Sequence, residues 1–365
     1  MSLNSLSAFR DRDRAEKLIR RIKNRLTRSW MIMEMCGGQT HALLQSGIDQ
    51  LLSPEITFIH GPGCPVCVTP QSTIDKAIRL ANHQDVILTT YGDMLRVPGT
   101  DISLATARAA GADVRVVYAA LDALTIARET PNKQVVFLGI GFETTAPANG
   151  ISVIQSARLG ITNYSMLSYQ VRVPSALKMI LDAEDNRVQA FLAAGHVCAV
   201  MGTAEYLPIS QQYQVPISVT GFEPVDLLAG IDQVVSDLES GQWQVQNAYS
   251  RSVSASGNPA ALAIIDEVFE PCAREWRGIG QIPDSGWKIK DQFSAFDAEK
   301  KFDLAVESEV FDSVCIAGQI LLGQKLPLDC PAFARNCSPE HPLGAAMVSS
   351  EGTCAAYYRY RREYA

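Results

Sequence analysis

Long apolar runs are missing from this chain of 365 residues, and no stretch approaches the roughly 18–20 apolar residues that span a bilayer. The first 26 residues, MSLNSLSAFRDRDRAEKLIRRIKNRL, contain no apolar core of the kind found in secretory signals. We therefore expect no membrane insertion, no export and a cytoplasmic location. Within residues 1–30, Leu18, Ile19, Ile22 and Leu26 have helical spacing and predict an N-terminal helix. A solvated Lys/Arg face is the favoured interpretation of its charges, and a partner- or membrane-binding face is the alternative.

The signatures of several enzyme classes are also absent. The sequence contains no G-x-x-x-x-G-K-S/T phosphate loop, no G-x-S-x-G elbow and no H-E-x-x-H helix. The stretch GIGFETTAPANG begins with G-x-G but lacks the third glycine of a dinucleotide fingerprint. A formal net charge of -7 argues against a general nucleic-acid binder. Nucleotide hydrolysis, NAD binding and nucleic-acid binding are therefore not supported.

Alternating strand-like and helical segments predict the fold. Apolar runs at 55–61, 85–92, 113–120 and 134–141 read as strands with helices between them, and the pattern restarts at 164–170, 188–195 and 216–223. Such alternation is typical of parallel sheets. We predict an α/β protein with two doubly wound parallel-sheet domains. The expected divisions are an N-terminal helix at 1–30, domain I at 31–140, domain II at 141–280 and a smaller Cys-rich region at 281–365.

Four of the nine cysteines lie in that last region: Cys315, Cys330, Cys337 and Cys354. A cytosolic chain keeps its thiols reduced, so clustered cysteines indicate metal or redox chemistry rather than a disulfide framework. Four thiolates can hold either a zinc ion or an iron–sulfur cluster. The spacing lacks the close pairs of a zinc ribbon, which leaves metal or cluster binding as the favoured interpretation and unlinked buried cysteines as the alternative.

Two further cysteine motifs lie in glycine-rich turns near the N-terminus. Cys64 and Cys67 form a C-x-x-C between a strand and a helix, a setting typical of redox pairs, although metal ligation or a structural role remains open. Cys36 follows the short strand MIME and precedes two glycines, so it is a candidate soft-metal ligand or nucleophile, although a lone cysteine is more often a buried structural residue. His41 lies five residues further on.

Four other side chains are candidates for proton transfer or ligation. His60 precedes the turn that holds Cys64, and His196 follows a predicted strand, although a single histidine at a strand end is often structural. The tripeptide GFE occurs twice, ending at Glu143 and Glu223, each time directly after an apolar strand, where α/β proteins place functional loops. A shared turn preference is the alternative for this repeat.

The motifs MEMCGGQTHA, HGPGCPVCVTP, GFETTAPA, GFEPVDLLAG and NCSPEHPLGAAMVSSEGTCAAYY occur in this order and together resemble the HypD family of hydrogenase maturation proteins. The resemblance covers roughly residues 15–360. It implies a scaffold on which the Fe(CN)2CO group of nickel–iron hydrogenases is assembled together with the small protein HypC, with cyanide delivered by HypE.

The resemblance also implies roles for the cysteines of this sequence. Cys36 would hold the iron of Fe(CN)2CO, and Cys64 with Cys67 would be the redox-active pair. The ligands of a 4Fe–4S cluster would be Cys315, Cys330, Cys337 and Cys354. Glu143, His60 and His196, together with Glu223, are expected to line the cleft between the domains and handle protons.

One position departs from the family motif, CGGH or CGTH, because Gln39 stands in place of its histidine. An amide neither ligates like an imidazole nor carries protons at neutral pH, so such a role would pass to His41. Two rival functions remain: a cluster-linked thiol–disulfide oxidoreductase, and a structural binding protein with zinc on the four C-terminal cysteines.

Overall fold

The computed structural model describes residues 9–304 and 314–364. The N-terminal helix α1 (Arg12–Arg25) begins at Asp11, whose side chain accepts the Arg14 N–H and so satisfies an otherwise unpaired amide. Its buried face packs on the long helix α12 (Pro224–Ser240). Among the described residues, none of the helices combines the length and the apolar character that a membrane crossing requires.

The first sheet is parallel throughout and has the strand order β2-β1-β7-β8-β9. Its strands are β1 (Trp30–Glu34), β2 (Ile56–His60), β7 (Ala190–Ala194), β8 (Ile217–Thr220) and β9 (Val245–Asn247). The run AFLAA of β7 is buried along its whole length, as expected for a central parallel strand covered on both faces.

The second sheet is mixed and has the order β10-β11-β6-β5-β3-β4. Its strands are β3 (Val86–Thr90), β4 (Val114–Val116), β5 (Gln134–Gly141), β6 (Tyr164–Val171), β10 (Phe269–Trp276) and β11 (Gly280–Ile289). The strands β3 to β6 pair in parallel, whereas β10 and β11 form an antiparallel hairpin that joins β6.

Helices connect the strands and flank both sheets. Before β6 they are α2 (Gly37–Ser46), α3 (Ile48–Leu51), α4 (Pro65–Val68), α5 (Gln71–Ala81), α6 (Leu104–Ala109), α7 (Ala120–Glu129) and α8 (Ala146–Leu159). After β6 they are α9 (Val173–Asp182), α10 (Gly195–Met201), α11 (Tyr206–Tyr213), α12, α13 (Pro259–Val268), α14 (Ala298–Lys301), α15 (Ala317–Leu321) and α16 (Thr353–Tyr360).

The predicted α/β class is confirmed and the predicted strand segments form strands, but the expectation of two purely parallel sheets is wrong. Each sheet combines two separate stretches of chain: the first contains β1, β2 and β7 to β9, and the second contains β3 to β6, β10 and β11. Only the first sheet is purely parallel. The segment from residue 280 begins with strand β11, which pairs with both β10 and β6.

A central apolar core joins both sheets and the C-terminal segment. It contains Met33 of the first sheet, Leu138 of the second, and Phe333 and Met347 from the segment that follows α15. The expected separate C-terminal region is therefore not observed as a unit with its own core. A stretch with so few large apolar side chains buries them against the sheets instead. Cys36, Cys64, Cys67, Cys337 and Cys354 all lie in this central core.

Candidate functional site

Cys36 lies at the carboxyl edge of β1, immediately before helix α2. Its backbone is extended and its side chain is 2% exposed. The following glycine permits a close approach, because a Cβ at Gly37 would lie 1.7 Å from the carbonyl oxygen of Glu351. The C-terminal segment therefore lies directly against the Cys36 loop, at the sheet edge where α/β proteins bind ligands.

A buried hydrogen-bond network holds this loop from behind. The Cys36 N–H donates to Glu34 Oε2 at 2.9 Å, and the Thr40 hydroxyl donates to Glu34 Oε1. His60 Nδ1 lies 2.6 Å from the same Oε1, and His60 Nε2 lies 2.9 Å from the Tyr357 hydroxyl. Burial raises the pKa of Glu34, against the opposing effect of these hydrogen bonds. The network connects β1, β2 and α16, and so fixes the position of Cys36.

The Cys36 sulfur faces a histidine from the helix that follows β7, another strand of the same sheet. Its Sγ lies 4.0 Å from Nε2 of His196, which is in the first turn of α10 and packs against the Phe222 ring. Burial lowers the pKa of His196 to about 4. Burial, with Glu351 and Glu34 adding repulsion, raises the pKa of Cys36 to about 12. At neutral pH the site thus presents a protonated thiol beside a neutral imidazole.

Cys64 and Cys67 are joined by a disulfide, with their Cα atoms 5.2 Å apart. Cys64 caps the short helix α4, and the Cys67 N–H donates to Cys64 Sγ at 3.2 Å. The turn before them packs on the Cys36 backbone, because a Cβ at Gly63 would lie 2.4 Å from the Cys36 Cα. A two-electron disulfide/dithiol couple therefore adjoins the Cys36 loop.

The four C-terminal cysteines line one small apolar cavity. Cys315, Cys330, Cys337 and Cys354 share it with Ala317, Ile320, Phe333 and Met347, among others. Burial raises the pKa of Cys315 and Cys354, and the neighbouring thiols add to the shift. Within residues 9–304 and 314–364, no three His, Cys, Asp or Glu side chains are placed to hold a single metal ion. Four sulfurs around one cavity instead fit a cubane cluster, in which each thiolate binds a different iron.

The remaining predicted residues are distributed over the molecule. His41 faces the C-terminal helix, with Nε2 2.9 Å from the Tyr360 hydroxyl, so His196 rather than His41 is the histidine that adjoins the Cys36 sulfur. Glu143 follows β5 and is fully buried, and its Oε1 accepts the Val173 N–H at 2.8 Å. The second GFE ends differently, because Glu223 forms a surface ion pair with Arg10.

Gln39 has a structural role. Its buried Nε2 donates to Thr220 Oγ1 at 2.6 Å and to the Ala193 carbonyl at 3.2 Å, so it ties α2 to the ends of β7 and β8. The sequence reasoning missed Glu34, Thr40 and Tyr357, which build the network behind Cys36. The carboxylate in the apolar strand WMIME was the available signal, because a buried acid needs partners.

Comparison with known proteins identifies the family of this chain. The model of the family HypD, described as the hydrogenase formation hypA family, matches residues 13–361. The hydrogenase maturation factor HypD of Rhodobacter capsulatus is 44% identical over 337 residues, which cover 90% of this chain and 89% of that protein. The HypD of Escherichia coli K12 is 44% identical over 335 residues, covering 91% and 89%. That of Azotobacter vinelandii is 43% identical over 364 residues, covering 97% and 96%. The chain therefore belongs to the HypD family.

Proposed function

We propose that this chain, as a member of a family of hydrogenase maturation factors, is the redox-active scaffold on which the Fe(CN)2CO group is assembled. One observation carries the proposal. A buried thiol, Cys36, lies at the carboxyl edge of the first sheet, 4.0 Å from His196 and in backbone contact with the turn of a disulfide. The site thus combines a soft ligand for the iron cargo with a redox couple.

The electrostatics of the site suit an incoming iron(II) ion. Soft thiolate ligands bind iron, and a nearby cation favours the thiolate over the thiol. The pKa of His196 is lowered to about 4, so this imidazole is neutral and does not repel the metal. The Cys36 thiol, with its pKa raised to about 12, becomes a strong donor when iron displaces its proton. Burial at the site also excludes water from the cyanide and carbon monoxide ligands of the iron.

The four-cysteine cavity supports the second part of the proposal. Cys315, Cys330, Cys337 and Cys354 would hold a 4Fe–4S cluster, which supplies one-electron transfer when bound. The Cys64–Cys67 disulfide takes up two electrons and two protons to give two thiols. The proposed partners are HypC, which shares the iron with Cys36, and HypE, which delivers cyanide. A reducing cytoplasm is the proposed location, because it supplies electrons to such a couple.

Infrared spectroscopy of the anaerobically purified protein, co-expressed with HypC, tests the proposal. We expect bands in the cyanide and carbonyl stretching regions for the wild type, and their loss in Cys36→Ala. Cys198→Ala is the matched control. Cys198 is also buried, but it lies in helix α10 with its thiol near Glu143. Bands that persist in Cys36→Ala, or that are missing from a wild-type complex with HypC, would contradict the scaffold.

A cluster-linked thiol–disulfide oxidoreductase is the second candidate. The position of the disulfide favours this function. The Val68 carbonyl of α4 accepts the N–H of Arg277, and the next residue, Gly278, packs against Gly318 near the four-cysteine cavity. The two functions differ in their dependence on Cys36. A pure reductase should keep its disulfide-reducing activity in Cys36→Ala, whereas the scaffold should lose iron with bound cyanide.

A further inference from the structure

Arg277 lies in the turn between β10 and β11, and part of its guanidinium is buried without a partner. Nη2 donates to the Pro98 carbonyl at 2.7 Å. Nη1 is shielded from solvent and has no hydrogen-bond partner among the described residues. A buried donor of a charged group is costly to leave unpaired, so its presence calls for a negative group nearby.

Two ionisable groups lie near enough to Arg277 to interact with its charge. They are Asp75 and Cys315. The Asp75 carboxylate accepts both the N–H of Thr100 at 2.8 Å and its hydroxyl at 2.6 Å. The guanidinium is therefore oriented by a backbone carbonyl and electrostatically coupled to the four-cysteine cavity.

The backbone of this turn contacts both redox segments of the molecule. The Arg277 N–H donates to the Val68 carbonyl at 2.8 Å, one residue beyond Cys67. On its other side, Gly278 packs against Gly318, where a Cβ would lie 2.0 Å from the Gly278 carbonyl oxygen. Gly318 lies three residues beyond Cys315. The turn is held in place from both sides, so its single cation has a fixed position relative to the cavity.

We propose that Arg277 is an electrostatic positioning residue of the four-cysteine site, whose fixed positive charge balances the thiolate-ligated cluster on the Cys315 side and raises its reduction potential. The inference rests on the proposed function, because it requires a cluster on these four cysteines. A cluster with four thiolate ligands carries net negative charge, and reduction adds one more. A nearby cation stabilises the reduced form more than the oxidised form, and low-dielectric surroundings strengthen the effect.

Redox titration of the full-length, cluster-loaded protein, followed by electron paramagnetic resonance, tests the proposal. Arg277→Gln removes the charge, and we expect its midpoint to fall by about 59 mV, which corresponds to a tenfold change for one electron. Arg277→Lys keeps the charge and should remain close to the wild type. Arg274→Gln is the control on the same hairpin, because Arg274 also binds backbone carbonyls, those of Ser168 and Trp287. Its midpoint should stay at the wild-type value.

Each outcome bears on the proposal. An unchanged midpoint in Arg277→Gln, or an equal fall in Arg274→Gln, would overturn it. If Arg277→Gln loses its cluster, iron and sulfide per chain become the readout, and retention in both Arg277→Lys and Arg274→Gln supports the charge argument. Loss in Arg277→Lys as well would refute that argument. Wild-type protein that binds no cluster would instead refute the proposed function itself.

Discussion

Replacing Glu143 with glutamine is expected to remove a pH-dependent contribution to stability. Glu143 is fully buried after β5, with Oε1 bonded to the Val173 N–H and Oε2 without a partner among the described residues. Burial is the main cause that raises its pKa from 4.5 to about 7. Glu205 adds to the rise, whereas the Val173 hydrogen bond and the charge of Arg172 oppose it.

The sign follows from proton binding in the two states. Between about pH 4.5 and pH 7 the folded chain holds a proton on Glu143 that the unfolded chain has released. The free energy of unfolding of the wild type therefore falls as pH rises through this window, and this contribution is constant above it. At about 1.36 kcal/mol for each tenfold change, the contribution lost is about 3 kcal/mol. Glutamine is neutral at every pH in this window, so the variant should not lose this contribution to stability.

Denaturant unfolding of the wild type and Glu143→Gln from about pH 5 to about pH 8 measures this difference. The variant's free energy of unfolding minus that of the wild type should rise by about 2–3 kcal/mol across this range and then level off. Contributions from other carboxylates cancel in the subtraction. A difference that stays constant with pH would refute the reasoning, since Glu143 would then titrate alike in both states.

Three further predictions concern the Cys36 loop. Tyr357→Phe removes the hydroxyl bonded to His60 and should lower the free energy of unfolding by about 1 kcal/mol in denaturant titrations; no loss would mean that this bond does not stabilise the network. Gly63→Ala should lower the free energy of unfolding by about 1–3 kcal/mol, because its Cβ would collide with the Cys36 backbone. Gly92→Ala is the control and should lower it less, since its nearest neighbour would be 3.7 Å away; equal losses would contradict the packing argument. Cys36 should resist iodoacetamide at pH 8 until the chain is unfolded, because it is buried and its pKa, raised to about 12, leaves only about one thiol in ten thousand ionised. Rapid labelling of the folded chain, detected by mass spectrometry, would contradict this prediction.

The local elements were predictable because they depend on short-range patterns. The apolar runs that became β2, β3, β5 and β7 are bounded by polar turns, and such runs need only covering helices to become parallel strands. The hairpin strand β11 was not predicted. Its sequence, GQIPDSGWKI, has a weak pattern, and the strand exists because β10 and β6 pair with it on either side.

The candidate site was predictable in its cysteines but not in their surroundings. Cys36, Cys64 and Cys67 stand out because glycine-rich turns after strands present them at a sheet edge. The residue that adjoins the Cys36 sulfur was not predictable from the sequence. His41 is closer in sequence, yet its side chain faces Tyr360, and the parallel pairing of β1 with β7 brings His196 to within 4.0 Å.

By itself, the sequence determined the α/β class, the segments that form β1 to β8, the candidate cysteines and, through five ordered motifs, the family. Only the tertiary structure decided which segments share a sheet, since pairing between distant strands depends on packing that no local pattern encodes. It also decided that Glu34, His60 and Tyr357 meet behind Cys36, and that the turn at Arg277 lies between the segments of Cys67 and Cys315. Buried polar groups must find partners wherever the fold brings them, and those partners come from segments far apart in the chain.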